Sequence, residues 1–354
     1  MQKISSIEFL RFFSSLMILV WHYQQFYLPY NFFSETEIFF NDKTIQPFFK
    51  YIKLLYTHGN YGVDFFFIIS GYVFAHVYLI KKKITSGKEF FINRFARLYP
   101  LHLLTLLIVL FLQIYSQKFF NTSLVHTNND LYHFILNFFF ISGWGLEKGP
   151  SFNGPIWSVS LEIIIYFFFF FLLIKSKNFM LLKSIIIVFL LVLLRKTTNS
   201  NFLSNQISFN INIFNCGILF FTGVIVHFLN KKITNRKVFI TFGLILLIFS
   251  LIGNFKILIF LPSVIIIFLN FENLINKKLR SLFNFLGNLT YGMYLWHLPL
   301  QIILMLLIKS NNLNFDLINS KFFFICYLAL VFSVSIVSYY YFEKKFRERL
   351  RFKY

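Results

Sequence analysis

The chain has 354 residues, 57% of them apolar and only 13% charged. A soluble domain holds about 45–50% apolar and about 25% charged residues, and one water-bathed core of this length could not hide the surplus. Disorder is excluded, a nucleic-acid partner is not expected despite a net charge of +21, and the composition describes an all-α polytopic membrane protein.

In chain order, ten stretches are long enough to cross a hydrocarbon core of about 30 Å, allowing for tilt. They are 7–28, 62–80, 98–116, 155–174, 183–194, 208–229, 238–252, 255–271, 283–308 and 321–343. The fifth is short, and the seventh and eighth meet at a tight turn at Gly253 and Asn254. The opening MQKISSIEFLRFF carries charges and no small-residue cleavage site, so the first stretch is expected to remain as a span. Segment 131–142 is too short to cross and is expected to re-enter or to lie at the interface as a short helix. With the N-terminus inside, 24 of the 34 basic residues, Arg11 included, fall on the cytoplasmic side. The positive-inside rule favours that orientation, which makes both termini cytoplasmic. Residues 1–345 then form one transmembrane domain, and 346–354 a basic tail facing solvent and anionic lipid.

The 55 Phe accompany abundant Ile, Asn and Lys, all with A/T-rich codons, and read as codon bias rather than an aromatic cage. Cys216 and Cys326 stand alone in apolar runs and offer neither a disulfide framework nor a metal site. No Walker loop, GxGxxG or HExxH occurs, and no metal is expected.

A charge at mid-bilayer costs at least about 2.5–3.5 kcal/mol, so the ionisable residues inside spans are the informative ones. They are Arg11, His22, Asp64, Glu162 and His297. Arg11 and His22 are eleven positions apart, within about 20° of three full turns, and so share one helix face about 16 Å apart along the axis. Asp64, Glu162 and His297 enter their spans at a depth comparable with His22. A carboxylate beside a histidine would fix its tautomer and raise its basicity, as a general base requires; either Asp64 or Glu162 could be that partner. Arg94 and Arg97, at i and i+3 before the third span, are neighbours if a helix starts there, and arginine pairs suit phosphate. Glu8 could pair with Arg11 at i+3, in competition with a ligand-binding role for that arginine.

The motifs run in order: Arg11-x10-His22, GVDFFFIISGY from Gly62 to Tyr72, RxxR-x-Y-P from Arg94 to Pro100, WS-x-S-x-E-x3-Y from Trp157 to Tyr166, and LTYGMYLWHLPL from Leu289 to Leu300. Taken together they resemble the acyltransferase-3 family of bacterial integral-membrane O-acyltransferases. Ile163 and Ile164 depart from the usual polar pair after the glutamate. The resemblance implies an enzyme of the cell (inner) membrane that moves an acyl group from cytoplasmic acyl-CoA, most often acetyl-CoA, to a carbohydrate acceptor such as a surface polysaccharide or lipid-linked sugar. It implies that Arg11, Arg94 and Arg97 hold the donor's phosphates. His22 would serve as general base or acyl relay, with Asp64 or Glu162 as its partner. Trp157, Ser160, Tyr166, Tyr291 and His297 are the candidates for contacting substrate, and the oxyanion donor stays open among Ser158, Ser160, Tyr166, Tyr291, Trp157 and Trp296. The remaining histidines are expected to be incidental: His58, His126 and His133 solvated or interfacial in outer loops, His76, His102 and His227 packed near the cytoplasmic ends. A non-enzymatic exporter or flippase for a lipid-linked glycan would also have ten spans and a polar centre, but no inverted repeat is evident.

Overall fold

The computed structural model describes residues 3–27, 43–79, 86–175, 177–198, 211–252 and 256–350. Among them there is no strand. The helices are α1 (Ser5–His22), α2 (Phe49–His58), α3 (Tyr61–Phe74, extended by a π turn to Leu79), α4 (Gly87–Phe120), α5 (Leu131–Phe138), α6 (Ile156–Lys175) and α7 (Met180–Thr198). After them come α8 (Ile211–Lys232), α9 (Arg236–Ile252), α10 (Lys256–Phe271), α11 (Lys277–Ser310), α12 (Lys321–Ser338) and α13 (Lys344–Leu350).

Each of the ten expected spans falls on a helix. Among the described residues, seven helices are long and apolar enough to cross a membrane, including the continuous segments Gly87–Phe120, Lys277–Ser310 and Lys321–Leu350. Helices α1, α7 and α9 are shorter or carry more polar residues. Residues 346–350 of the expected tail are the end of a helix that runs on from α12 and packs against α4. The expected turn at Gly253 and Asn254 lies outside the described residues.

Helix ends follow local chemistry. Ser86 accepts a hydrogen bond from the Glu89 N–H, which starts α4 eleven residues before the stretch marked by hydropathy alone and carries Arg94 and Arg97 into the helix. Helix α1 has no side-chain cap of its own. The Ser5 and Ser6 N–H groups donate instead to the two carboxylate oxygens of Glu272 (3.1 and 2.8 Å), which Arg280 also holds at 2.8 Å.

Two reciprocal glycine contacts set the seam between α3 and α8. A Cβ on Gly71 would stand 1.7 Å from the Phe220 carbonyl oxygen, and one on Gly223 2.0 Å from that of Ile68. Only glycine lets the two backbones meet so closely. In α11, Pro299 leaves the Leu295 carbonyl without its helical donor, and the Asn153 side-chain amide supplies one at 3.1 Å.

The segment after α4 runs back along it. Gln113 exchanges two hydrogen bonds with the Leu124 backbone, His102 Nε2 meets the Asn137 carbonyl at 2.9 Å, and Asn153 donates to Thr105 at 3.0 Å. Since His102 lies eighteen positions before the end of α4, the chain descends by about 27 Å. Helix α5 therefore lies alongside α4. His133, expected to be solvated or interfacial, is buried: its Nδ1 bonds Asp130 at 2.8 Å and its Nε2 accepts the Lys148 N–H at 3.2 Å. Asp130, capping α5 through the His133 N–H, is held below the usual carboxylate range by those two hydrogen bonds.

Candidate active site

Helices α1, α3, α4, α6 and α11 surround a cavity of about 100 Å³. Each contributes one stripe at helical spacing: Arg11 from α1; Ser70, Val73 and Phe74 from α3; Arg94 and Arg97 from α4; Ser158, Glu162 and Tyr166 from α6; Thr290, Tyr291 and Tyr294 from α11. A space of this size holds several waters or a slim chain, not a whole sugar.

The cationic part of the expected arrangement is present. Arg11 Nη1 meets Glu8 Oε2 at 3.0 Å, and its Nη2 donates to Thr290 Oγ1 at 3.1 Å. The expected competition between Glu8 and the cavity for Arg11 is resolved in both directions, since Arg11 pairs with Glu8 and still lines the cavity. The Arg94 guanidinium lies 4.8 Å over the Phe74 ring and reaches Tyr78 OH at 3.4 Å, while its buried Nε has no partner. Arg97 donates no hydrogen bond among the described residues.

Glu162 stands among these cations. Its Oε1 accepts from Ser70 Oγ and its Oε2 from Tyr166 OH, both at 2.7 Å. The Tyr166 ring is stacked on Phe74, centroids 4.2 Å apart. Ser70 and Thr290 were not singled out in the sequence. The available signals were the polar Ser70 inside FFFIISGY and the polar Thr290 a helical turn from Tyr294.

The imidazole part is arranged differently from the expectation. His22 ends α1 and is buried, and its ring is stacked on that of His297 with centroids 4.8 Å apart. Neither Asp64 nor Glu162 hydrogen-bonds to it. Glu162 is committed to Ser70 and Tyr166, and Asp64 is half-buried, makes no hydrogen bond among the described residues, and feels the charge of Arg195 on α7. His22 Nδ1 and both ring nitrogens of His297 are buried without partners. Tyr294 connects the two halves: it lines the cavity, and its ring centroid is 6.0 Å from that of His297.

Most of the candidate hydroxyl donors are already engaged. Ser160 Oγ donates to the Trp157 carbonyl and accepts the Gly143 N–H, tying the segment after α5 to α6. Tyr291 OH donates to the Leu98 carbonyl at 2.6 Å, and Tyr294 OH to the Pro155 carbonyl at 2.7 Å with Ser158 Oγ also at 2.7 Å. Trp157 is half-buried and does not line the cavity, whereas Trp296 Nε1 is buried without a partner. Among the described residues no three His, Cys, Asp or Glu side chains converge as metal ligands. His126, beside Gly154 in the loop before α6, is pushed down to about 4 by burial.

A family model described as an acyltransferase domain, that of the acyltransferase-3 family, matches residues 4–340. The chain is 32% identical over 117 residues, 29% of its length, to the peptidoglycan O-acetyltransferase OatA of Listeria monocytogenes. It is 32% identical over 106 residues, 30% of its length, to the acyltransferase MdmB of Streptomyces mycarofaciens. These stretches span only 18% and 23% of those two proteins. No solved structure matches the chain.

Proposed function

The chain belongs to the acyltransferase-3 family, and from that premise we propose that it is a ten-span membrane O-acyltransferase with both termini in the cytoplasm. In this reading it carries an acyl group, acetyl in the first instance, from cytoplasmic acyl-CoA to a hydroxyl of a saccharide outside. The observation that carries the reading is the convergence of Arg11, Arg94 and Arg97 on one cavity whose far wall, Tyr294, abuts the His297–His22 pair. The fit to a phosphorylated donor rests on unspent N–H groups: Arg94 Nε is buried without a partner, and Arg97 donates to nothing among the described residues. A saccharide acceptor is supported by the similarity to a peptidoglycan O-acetyltransferase.

The donor supplies a thioester whose acyl carbon accepts the acceptor oxygen as the carbon–sulfur bond breaks. Arg11, Arg94 and Arg97 hold the anionic end at the inner face by charge-assisted hydrogen bonds. The cavity admits the slim thioester arm and directs it toward Ser158 and Tyr294. His22 takes the hydroxyl proton of the acceptor and returns it to the departing thiolate. Stacking on His297 fixes the plane of its ring, the task that sequence reasoning gave to a carboxylate. Glu162, held by two hydroxyls, keeps the guanidinium groups in register around the arm.

The test uses the purified protein in vesicles with radiolabelled acetyl-CoA and peptidoglycan or other glycan fragments. Acceptor-dependent label transfer that is lost in His22→Ala, with insertion intact, is the expected result. Full transfer by a well-inserted His22→Ala variant overturns the assignment of the base. Glycan passage across the vesicle with no label transfer would favour an exporter.

A further inference from the structure

Arg11 is the one cavity arginine that stands on a different helix from the other two, and three guanidinium groups that close repel one another. Arg97 feels the charges of both Arg11 and Arg94, and that of Glu8 as well. Left alone, Arg11 would turn from the cluster toward the nearby aqueous face, as long basic side chains near helix ends do. The structure shows what stops it. Glu8, one turn earlier on α1, holds Nη1 at 3.0 Å, and Thr290 on α11 holds Nη2 at 3.1 Å while its own hydroxyl donates to the Gly287 carbonyl. Both side chains of the ion pair are largely buried, 15% and 9% exposed. Lys3 reaches the same Glu8 oxygen from the exposed rim at 3.9 Å.

The seat of Glu8 is itself specific. Its carboxylate lies on the bare backbone of Gly287, where a Cβ would stand 1.9 Å from Glu8 Oε2 and 2.7 Å from its Cβ. Any side chain at 287 must displace the carboxylate. Glu8, Gly287 and Thr290 thus form a cradle that uses one edge of the Arg11 guanidinium and leaves its remaining N–H groups for the cavity.

We propose that Glu8, seated on Gly287, is a positioning residue for the donor's anionic group: it fixes Arg11 in the cavity before the donor arrives. The inference rests on the reading of Arg11 as a phosphate-binding residue. Glu8 does not touch the reacting atoms, so its removal acts on donor affinity and leaves the chemical step alone. Holding one long side chain in its bound orientation in advance is worth about a three- to tenfold gain in affinity.

The experiment titrates coenzyme A into the full chain in nanodiscs and measures KM and kcat for acetyl-CoA in parallel, for wild type, Glu8→Gln and Gly287→Ala. Glu8→Gln removes the charge and keeps the shape, whereas Gly287→Ala keeps the charge and displaces it. Both are expected to raise Kd and KM for the donor about three- to tenfold, with kcat within about twofold of wild type. If Gly287→Ala fails to fold, Glu8→Gln decides alone. Unchanged or tighter donor binding by a folded Glu8→Gln overturns the proposal, and an equal fall in kcat with KM unchanged does so as well. Wild type that does not bind coenzyme A at all overturns the donor reading itself, and this inference with it.

Discussion

Tyr166→Phe offers the cleanest perturbation of the cavity. It deletes one hydroxyl and keeps the ring, whose stacking on Phe74 at 4.2 Å and burial among α3, α6 and α8 are retained. What is lost is the 2.7 Å hydrogen bond to Glu162 Oε2, leaving Ser70 as the only hydroxyl on that carboxylate. Hydrogen bonds to charged groups contribute about 1.5–3 kcal/mol. If Glu162 must hold its place for the reaction, kcat/KM should fall by about 10- to 150-fold, at about 1.4 kcal/mol per decade. Ser70→Ala should produce a similar fall. The double variant should cost less than the product of the two, because Ser70 Oγ also lies 3.3 Å from Tyr166 OH and the pair is one network. Glu162→Gln should lose more than either, since its NH₂ must face a hydroxyl that now donates to a carboxylate. The assay is acceptor-dependent transfer of radiolabelled acetyl, normalised to inserted protein. Wild-type kcat/KM in a well-inserted Tyr166→Phe variant would refute the placement of Glu162 in the working site.

Arg97→Ala should raise the donor KM more than it lowers kcat, as expected of a residue that binds the anionic end; a selective loss of kcat would contradict this. Gly223→Ala puts a methyl group 2.0 Å from the Ile68 carbonyl oxygen and forces α3 and α8 apart. Overpacking of that kind costs about 1–3 kcal/mol, read as a lower melting temperature in detergent, and an unchanged melting temperature would show that the seam yields freely. Glu147, in the loop between α5 and α6, is pushed up from 4.5 to about 7 by burial, against hydrogen bonds from Ser151 and Asn137 that favour its charged form. The folded chain therefore binds more protons than the unfolded chain between those values, so this group's contribution to stability is fullest below pH 4.5 and declines as pH rises to 7. For a part-buried carboxyl the effect, discounted for screening, is about 1–2 kcal/mol. Glu147→Gln should flatten that part of the pH–melting profile, and an identical profile would contradict the assignment.

The helices were legible because apolar length is nearly a sufficient statement in a bilayer, and seven of them are long and apolar enough to cross one among the described residues; helical period alone put Arg11 and His22 on one face of α1. What the sequence could not give was azimuth. Asp64 and Glu162 enter at similar depths, yet which of them faces the arginines depends on how α3 and α6 are rotated, and that rotation is set by contacts such as the Gly71–Phe220 approach. The expected carboxylate–imidazole pair was therefore replaced by a carboxylate held by hydroxyls and an imidazole stacked on an imidazole. Glu343 shows the same limit. The π turn Tyr339–Glu343 brings it inward, where its carboxyl accepts from Ser338 at 3.3 Å and would lie 3.1 Å from a Cβ on Gly292. Nothing in a 3.6-residue period marks that displacement. Likewise, Glu272 caps α1 from 266 residues away, a pairing with no local signature.

Charge balance alone does not explain why three arginines persist at this level of the bundle. Glu8, Glu162 and Glu343 all couple electrostatically to the cluster around Arg97, three acidic side chains to three guanidinium groups. The imbalance is one of direction. Glu162 is committed to the hydroxyls of Ser70 and Tyr166, Glu343 accepts from Ser338, and Glu8 is committed to Arg11, with Lys3 at 3.9 Å on the same oxygen. Among the described residues, Arg94 Nε has no acceptor and the Arg97 guanidinium donates no hydrogen bond. A buried donor with no partner costs about 1–3 kcal/mol, and the neighbouring carboxylates could have met that need had they not been turned elsewhere. Acids that are occupied beside guanidinium N–H groups that are idle, around one cavity, are the feature on which the proposed binding of an acceptor-rich anion rests. At the other end of Tyr294, His22 Nδ1 and both ring nitrogens of the stacked His297 are likewise buried without partners. On the proposed function, the first set of groups meets the anionic end of the donor and the second the acceptor hydroxyl.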